Sequence, residues 1–152
     1  MSGSVTLDCP CSCHTNPSPP STEIDGSTFR YQAYVRSRSD AATLVSSLSR
    51  ETNEWLLAIY VDRNLAVLSI DAIARGDVSG CEVPLWKLIH RGKSLDAAGF
   101  ILVHNHPSGD PTPSSSDISA TRKVAHVSRE LDVPLLDHII IGDTGFSSIG
   151  IW

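Results

Sequence analysis

Between residues 39 and 61 the spacing of apolar residues changes from a helical to a strand pattern. Ala41, Leu44, Val45 and Leu48 fall on one face of a 3.6-residue repeat, and Ser39 is placed to cap its start. Glu54 is followed by Trp55-Leu56-Leu57-Ala58-Ile59-Tyr60-Val61, a continuous apolar run rich in strand formers, which predicts a buried strand. Asp62, Arg63 and Asn64 supply a turn into a second strand over 65–70. A glycine-containing connection over 75–80 leads to a helix marked by Leu85, Leu88 and Ile89, with Pro84 suited to its first turn. Residues 99–103 form a third apolar strand that runs directly into His104, and a Pro-, Gly- and Ser-rich loop follows over 107–113. Ser114 and Asp117 have the spacing that opens a helix, although a capping box more often carries Glu or Gln at the second position. That helix is expected to run to about residue 131, and two strands, 135–141 and 146–151, close the chain around a turn at 142–145. Helices interspersed among strands, with a closing hairpin, predict a mixed α/β domain.

The 152 residues suit one domain preceded by a tail. Residues 1–27 have turn and linker composition and too few apolar residues for a core, so the domain is expected over 28–152, with Phe29, Tyr31 and Tyr34 as its first aromatic anchors. A hydrophobic content of 41% is enough to build that core. The formal net charge of −5 argues against a broad nucleic-acid-binding surface, while leaving room for a local basic patch. There is no apolar run of about 18 residues to span a membrane and no signal-peptide start, so a cytoplasmic protein is expected. Cys9, Cys11 and Cys13 cluster in the tail and Cys81 stands alone, a distribution that favours reduced thiols over a disulfide framework.

The chemistry concentrates after the third strand. Residues two apart on an extended segment point to the same side, so His104 and His106 can face one metal ion. The loop containing Pro107, Gly109, Pro111 and Pro113 can return the chain so that Asp117 supplies a third ligand. Two histidines and one carboxylate leave a fourth tetrahedral position for water, the arrangement of a catalytic zinc site, where the pKa of that water falls toward about 7. The residues by themselves also permit a plainer reading, in which the histidines are ordinary polar residues and Asp117 only favours the helix dipole.

His104-Asn105-His106-Pro107, followed by Ser114 and Asp117, resembles the signature of JAMM (JAB1/MPN-type) zinc metalloproteases. The longer stretch Leu102-Val103-His104-Asn105-His106-Pro107-Ser108-Gly109-Asp110-Pro111-Thr112-Pro113-Ser114 is similar to the bacterial RadC-like branch, as is Leu136-Asp137-His138-Ile139-Ile140-Ile141-Gly142. The resemblance covers roughly residues 30 to 152. It implies an MPN/JAB (cytidine-deaminase-like) mixed sheet flanked by helices, one zinc ion per chain on His104, His106 and Asp117, and hydrolysis of a peptide or isopeptide amide bond in a peptide or protein substrate. It also implies a glutamate upstream as the proton acceptor. Glu54, immediately before the first apolar strand, is the best match, with Glu51 one turn away as the alternative and Glu82 in the connection after the second strand as a weaker one. Ser114 is implied as a hydrogen-bond partner for the oxyanion or the substrate carbonyl.

Two departures weaken the transfer of a DNA-repair role. Val83-Pro84-Leu85-Trp86-Lys87 stands where many relatives carry His-Pro-Arg-Glu, and these residues include no helix-hairpin-helix region. Direct duplex binding therefore ranks behind hydrolysis. So does a non-catalytic MPN scaffold, because such scaffolds typically lose zinc ligands whereas this chain keeps both His, the Asp, the Ser and a suitable Glu. Among the remaining candidates, Cys9, Cys11, Cys13 and His14 are crowded too closely for the usual zinc geometry, so an incidental or weak site is expected there. Asp137 and His138 read either as support for the metal centre or, with slightly more weight, as a core strand pair with satisfied hydrogen bonds. His90 and His126 read as ordinary helix residues and Cys81 as a packed thiol.

Overall fold

The apolar run becomes the centre of a sheet. In the computed structural model, which describes residues 33–76 and 83–150, strand β1 (Trp55–Val61) is buried along its whole length. Its burial follows from its neighbours. Strand β2 (Val67–Arg75) pairs with it antiparallel on one side and strand β3 (Gly99–Asn105) antiparallel on the other. Strand β4 (Leu135–Gly142) lies parallel to β3, and β5 (Gly145–Ser148) returns antiparallel along the far edge, giving the order β2-β1-β3-β4-β5. A parallel pair needs a crossover, and helix α3 (Ser115–Glu130) makes it. Helix α1 (Arg38–Leu44) precedes β1, and helix α2 (Leu85–Ser94) lies between β2 and β3.

The two-residue period of the strands divides the core into two faces. Leu57, Ile59, Val61, Ile101, Val103, Ile139 and Ile141 pack with Ala41, Val45 and Leu48 on the α1 side. Leu56, Ala58, Tyr60, Phe100 and Leu102 pack with Leu88 and Ile89 of α2 and Val124 of α3 on the opposite side. At the end of β3 the same alternation sends His104 toward α3 and Asn105 toward the chain that leads into β1. The mixed sheet with helices on its faces is the fold that the sequence predicts.

Three elements differ from expectation at their boundaries. Ser37, not Ser39, caps α1, because its hydroxyl accepts the Asp40 N–H at 3.1 Å. The helix stops at Leu44, and Val45 (φ −120°) turns the chain into a short 3₁₀ helix, Ser46–Arg50; Val45 and Leu48 stay buried while Leu44 faces outward. The second strand starts later and runs further than 65–70. Leu65 adopts φ 63° inside a turn closed by Asp62 Oδ1, which accepts the N–H groups of Asn64 and Ala66, and pairing with β1 then carries the strand to Arg75. β5 ends at Ser148, short of the expected 151, although the Ile149 N–H still donates to the His138 carbonyl at 2.8 Å.

The tail expected over 1–27, with Cys9, Cys11, Cys13 and His14, lies outside the described residues, as do Phe29, Tyr31, Cys81, Glu82 and Ile151. No helix among the described residues is long and apolar enough to cross a membrane.

Candidate metal centre

His104 is the last core-facing side chain of β3 before the sheet opens, and only 2% of it is exposed. The strand ends at Asn105, and the His106 N–H donates to the Ile141 carbonyl at 2.9 Å, so β4 holds the backbone at this point. The loop after His106 then folds back on itself. Gly109 adopts φ 83° and donates its N–H to the His106 carbonyl at 2.9 Å, a conformation that favours glycine. The Asp110 carbonyl, carried by this turn, accepts from His106 Nδ1 at 2.7 Å. A carbonyl cannot donate, so the His106 proton sits on Nδ1 and its Nε2 lone pair is left facing His104.

Asp117 enters from the start of α3. Ser114 caps that helix by accepting the Asp117 N–H at 3.1 Å, while Asp117 Oδ2 accepts the Ser114 N–H at 2.8 Å, so the capping box forms with Asp in the Glu position. The Asp117 carboxylate is thereby held toward the histidines: Oδ1 lies 3.5 Å from His104 Nε2, and Oδ2 lies 3.4 Å from His106 Nε2. The two Nε2 atoms are 3.0 Å apart. Glu54 completes the group from the segment just ahead of β1, with Oε1 3.9 Å from His104 Nε2. One donor atom from each of Glu54, His104, His106 and Asp117 lies within 4.8 Å of the others.

Asn105 fixes the approach of Glu54. Its Oδ1 accepts the Trp55 N–H at 2.8 Å, and its Nδ2 donates to the carbonyls of Asn53 at 3.0 Å and Glu51 at 3.3 Å. A single buried amide thus ties down the chain on both sides of Glu54. The Glu51 carboxylate is turned elsewhere, accepting from the Trp55 indole at 3.3 Å, so among the described residues the glutamate in the cluster is Glu54.

The electrostatics favour the proton-free forms of His104 and Asp117. Burial pushes His104 down from 6.5 to about 4, against the pull of Asp117 and with help from His106. Burial alone would raise the Asp117 carboxyl, but hydrogen bonds from the Ser114 side chain and backbone, with the two histidines nearby, leave it below the usual carboxylate range. The donor set fits a tetrahedral cation. Ligand distances of about 2.0–2.1 Å around zinc imply donor–donor edges of about 3.3 Å. The nitrogen–nitrogen edge here is 3.0 Å, and each Asp117 oxygen faces one histidine at a similar range, Oδ1 at 3.5 Å from His104 and Oδ2 at 3.4 Å from His106. Two facing lone pairs at the shortest edge are repulsive until a cation lies between them.

Two further residues lie behind the cluster: His138, which the sequence offers as possible support for it with less weight than a core role, and Thr121, which the sequence does not single out. His138 is buried, with Nε2 2.8 Å from His104 Nδ1, and Thr121 Oγ1 lies 2.6 Å from His138 Nδ1. Burial pushes His138 down to about 3. Asp137 and His138 do not act as a pair, since neighbouring strand residues face opposite ways. Asp137 instead accepts from Arg38 Nε at 2.7 Å and from the Ser148 hydroxyl at 2.6 Å. Thr121 lies one helical turn after Asp117, and that spacing is the signal by which it can be sought. His90 and His126 are exposed helix residues.

A family model described as RadC-like JAB domain matches residues 35–150. Curated relatives include a UPF0758 protein of Roseiflexus castenholzii, 39% identical over 116 residues that make up 76% of this chain and 50% of that one. The UPF0758 protein of Latilactobacillus sakei is 32% identical over 122 residues, 80% of this chain and 54% of its own. That of Rhodobacter capsulatus is 37% identical over 97 residues, 64% and 45% respectively. The chain spans about half the length of these relatives, and their names state no activity.

Proposed function

Because the chain belongs to the RadC-like JAB domain family, whose wider JAB/MPN group includes metalloproteases, we propose that it is a zinc-dependent hydrolase of peptide or isopeptide amide bonds. The observation that carries this reading is the convergence of Glu54, His104, His106 and Asp117. Nitrogen and oxygen donors in this number and geometry suit zinc. When bound by His104, His106 and Asp117, zinc supplies Lewis acidity toward the scissile carbonyl and acidifies a water molecule.

The protein's own residues do the rest. Glu54, with Oε1 3.9 Å from His104 Nε2, accepts the proton of the attacking water and passes it to the leaving amine. Asn105 positions Glu54 by fixing the chain at Glu51, Asn53 and Trp55. Ser114 Oγ donates to Asp117 Oδ2 at 2.6 Å. Rotation of that hydroxyl toward the substrate carbonyl gives an oxyanion donor while the backbone N–H of Ser114 keeps hold of Asp117.

Metal analysis of the purified protein, joined to a cleavage screen of peptides and isopeptides with and without chelator, tests the reading. About one zinc per chain, with cleavage that chelator abolishes and zinc restores, is expected. Failure to take up metal on reconstitution would remove the metal site. Stoichiometric zinc without cleavage of either bond type would remove the hydrolase and leave a metal-holding scaffold. Glu54→Gln is expected to keep its zinc and lose activity by ~10²–10⁴-fold. Full activity in that variant would take Glu54 out of the mechanism.

A further inference from the structure

We propose that Thr121 and His138 are positioning residues that set the tautomer of His104, through a one-way chain of hydrogen bonds that leaves the Nε2 lone pair facing the metal position. This inference rests on the metal reading for its purpose, while its proton order stands on geometry alone.

The order begins at a group with no choice. The Asp117 main-chain carbonyl can only accept, and Thr121 Oγ1 is 2.6 Å from it, so the single hydroxyl proton of Thr121 is committed there. Thr121 Oγ1 can then only accept from its other close neighbour, His138 Nδ1, at 2.6 Å. His138 therefore carries its proton on Nδ1 and has a lone pair on Nε2. That lone pair is 2.8 Å from His104 Nδ1, which must be the donor. His104 is left with a bare Nε2, the atom 3.0 Å from His106 Nε2 and 3.5 Å from Asp117 Oδ1. Reversing the chain would turn the Thr121 proton toward His138 and leave two oxygen atoms facing each other at 2.6 Å with no proton between them.

The chain closes on itself. It starts at the backbone of Asp117 and ends at a nitrogen beside the Asp117 carboxylate, so one residue of α3 both anchors the proton order and contributes a donor to the cluster. His106 reaches the same tautomer by a shorter route, through the Asp110 carbonyl. Outer partners of this kind orient metal-binding imidazoles, and their loss typically weakens metal affinity by about 10–100-fold.

Two measurements test the proposal. Nitrogen-15 NMR of histidine-labelled, metal-free wild type at neutral pH should show His104 and His138 both protonated on Nδ1; a proton on His104 Nε2 would overturn the proton order. Zinc affinity by chelator competition should fall about 10–100-fold in Thr121→Val, which keeps the shape and removes the hydroxyl, and should return to within about threefold of wild type in Thr121→Ser. Undiminished affinity in a folded Thr121→Val would overturn the role. If the valine variant fails to fold, the wild-type tautomers and the serine variant decide. A wild type that binds no metal counts against the hydrolase reading, whereas the tautomers of the metal-free protein judge the hydrogen-bond chain independently.

Discussion

Asn105 stands between the two histidines yet works on the other face of the sheet. Its three hydrogen bonds join the end of β3 to the backbone around Glu54. Asn105→Asp keeps the acceptor and loses both donations, leaving a carboxylate against two carbonyl oxygens. We expect a loss of about 1–3 kcal/mol in stability, seen as a lower melting temperature, and a larger fall in cleavage than in zinc affinity. Equal losses in both would mean that Asn105 serves the fold and not the placement of Glu54. At this scale the sequence shows some residues and hides others. The spacing of His104 and His106 and the Ser114–Asp117 cap are local patterns, and each is present as read. The bonds of Asn105 go to backbone atoms of the segment before β1, and the link from Thr121 to His138 joins a helix to a strand. No local pattern encodes such long-range partners.

At the level of elements, the loop over 107–113 depends on a neighbour that has no side chain. A Cβ on Gly142, at the end of β4, would collide with the Gly109 carbonyl and Pro111, while the Asp143 N–H donates to the Gly109 carbonyl at 2.9 Å. The Ser147 hydroxyl of β5 adds a bond to the Pro111 carbonyl. The β4–β5 hairpin is thus the floor on which the His106 loop rests. Gly142→Ala is expected to cost about 1–3 kcal/mol through overpacking, read by thermal denaturation, and to weaken zinc binding because the Asp110 carbonyl shifts away from His106. Unchanged zinc affinity would show that the loop tolerates the shift. Apolar spacing and cap signals located the described α-helices and strands, merged the 3₁₀ helix Ser46–Arg50 with α1, and misjudged ends where a single side chain decides them. Ser37 took the cap of α1 and Asp62 delayed the start of β2, both through hydrogen bonds that apolar spacing does not report.

Across the whole molecule, the buried imidazoles tie stability to acidity. Burial lowers His104 from 6.5 to about 4 and His138 to about 3. Below about pH 6.5 the unfolded, metal-free chain therefore binds more protons than the folded one. The stabilisation is complete above that value and is lost as the pH falls through 4 and then 3. Melting temperatures of the metal-free protein should decline over this range, and a flat profile would contradict the burial of both neutral rings. Zinc should act in the opposite direction, adding about 2.7 kcal/mol at a hundredfold excess over its dissociation constant, with the gain reversed by chelator. The alternation that splits the core into two faces was readable from the chain. The strand order was not, because the antiparallel place of β1 between β2 and β3 depends on pairings between distant segments.

His104, His106 and Asp117 all lie in the one βα unit formed by β3 and α3, whereas Glu54 arrives from an earlier stretch of chain across the β1–β3 pairing. Under the proposed function, holding the ion and moving the proton therefore fall to separate stretches of the chain. A lineage that altered the segment ahead of β1 would lose turnover while its descendants still carried an intact ion site. A change confined to the β3–α3 unit would discard both at once. On that reading, loss of the proton acceptor leaves a protein that holds the ion without turning over, while the Asn105 amide still marks where the segment ahead of β1 must sit.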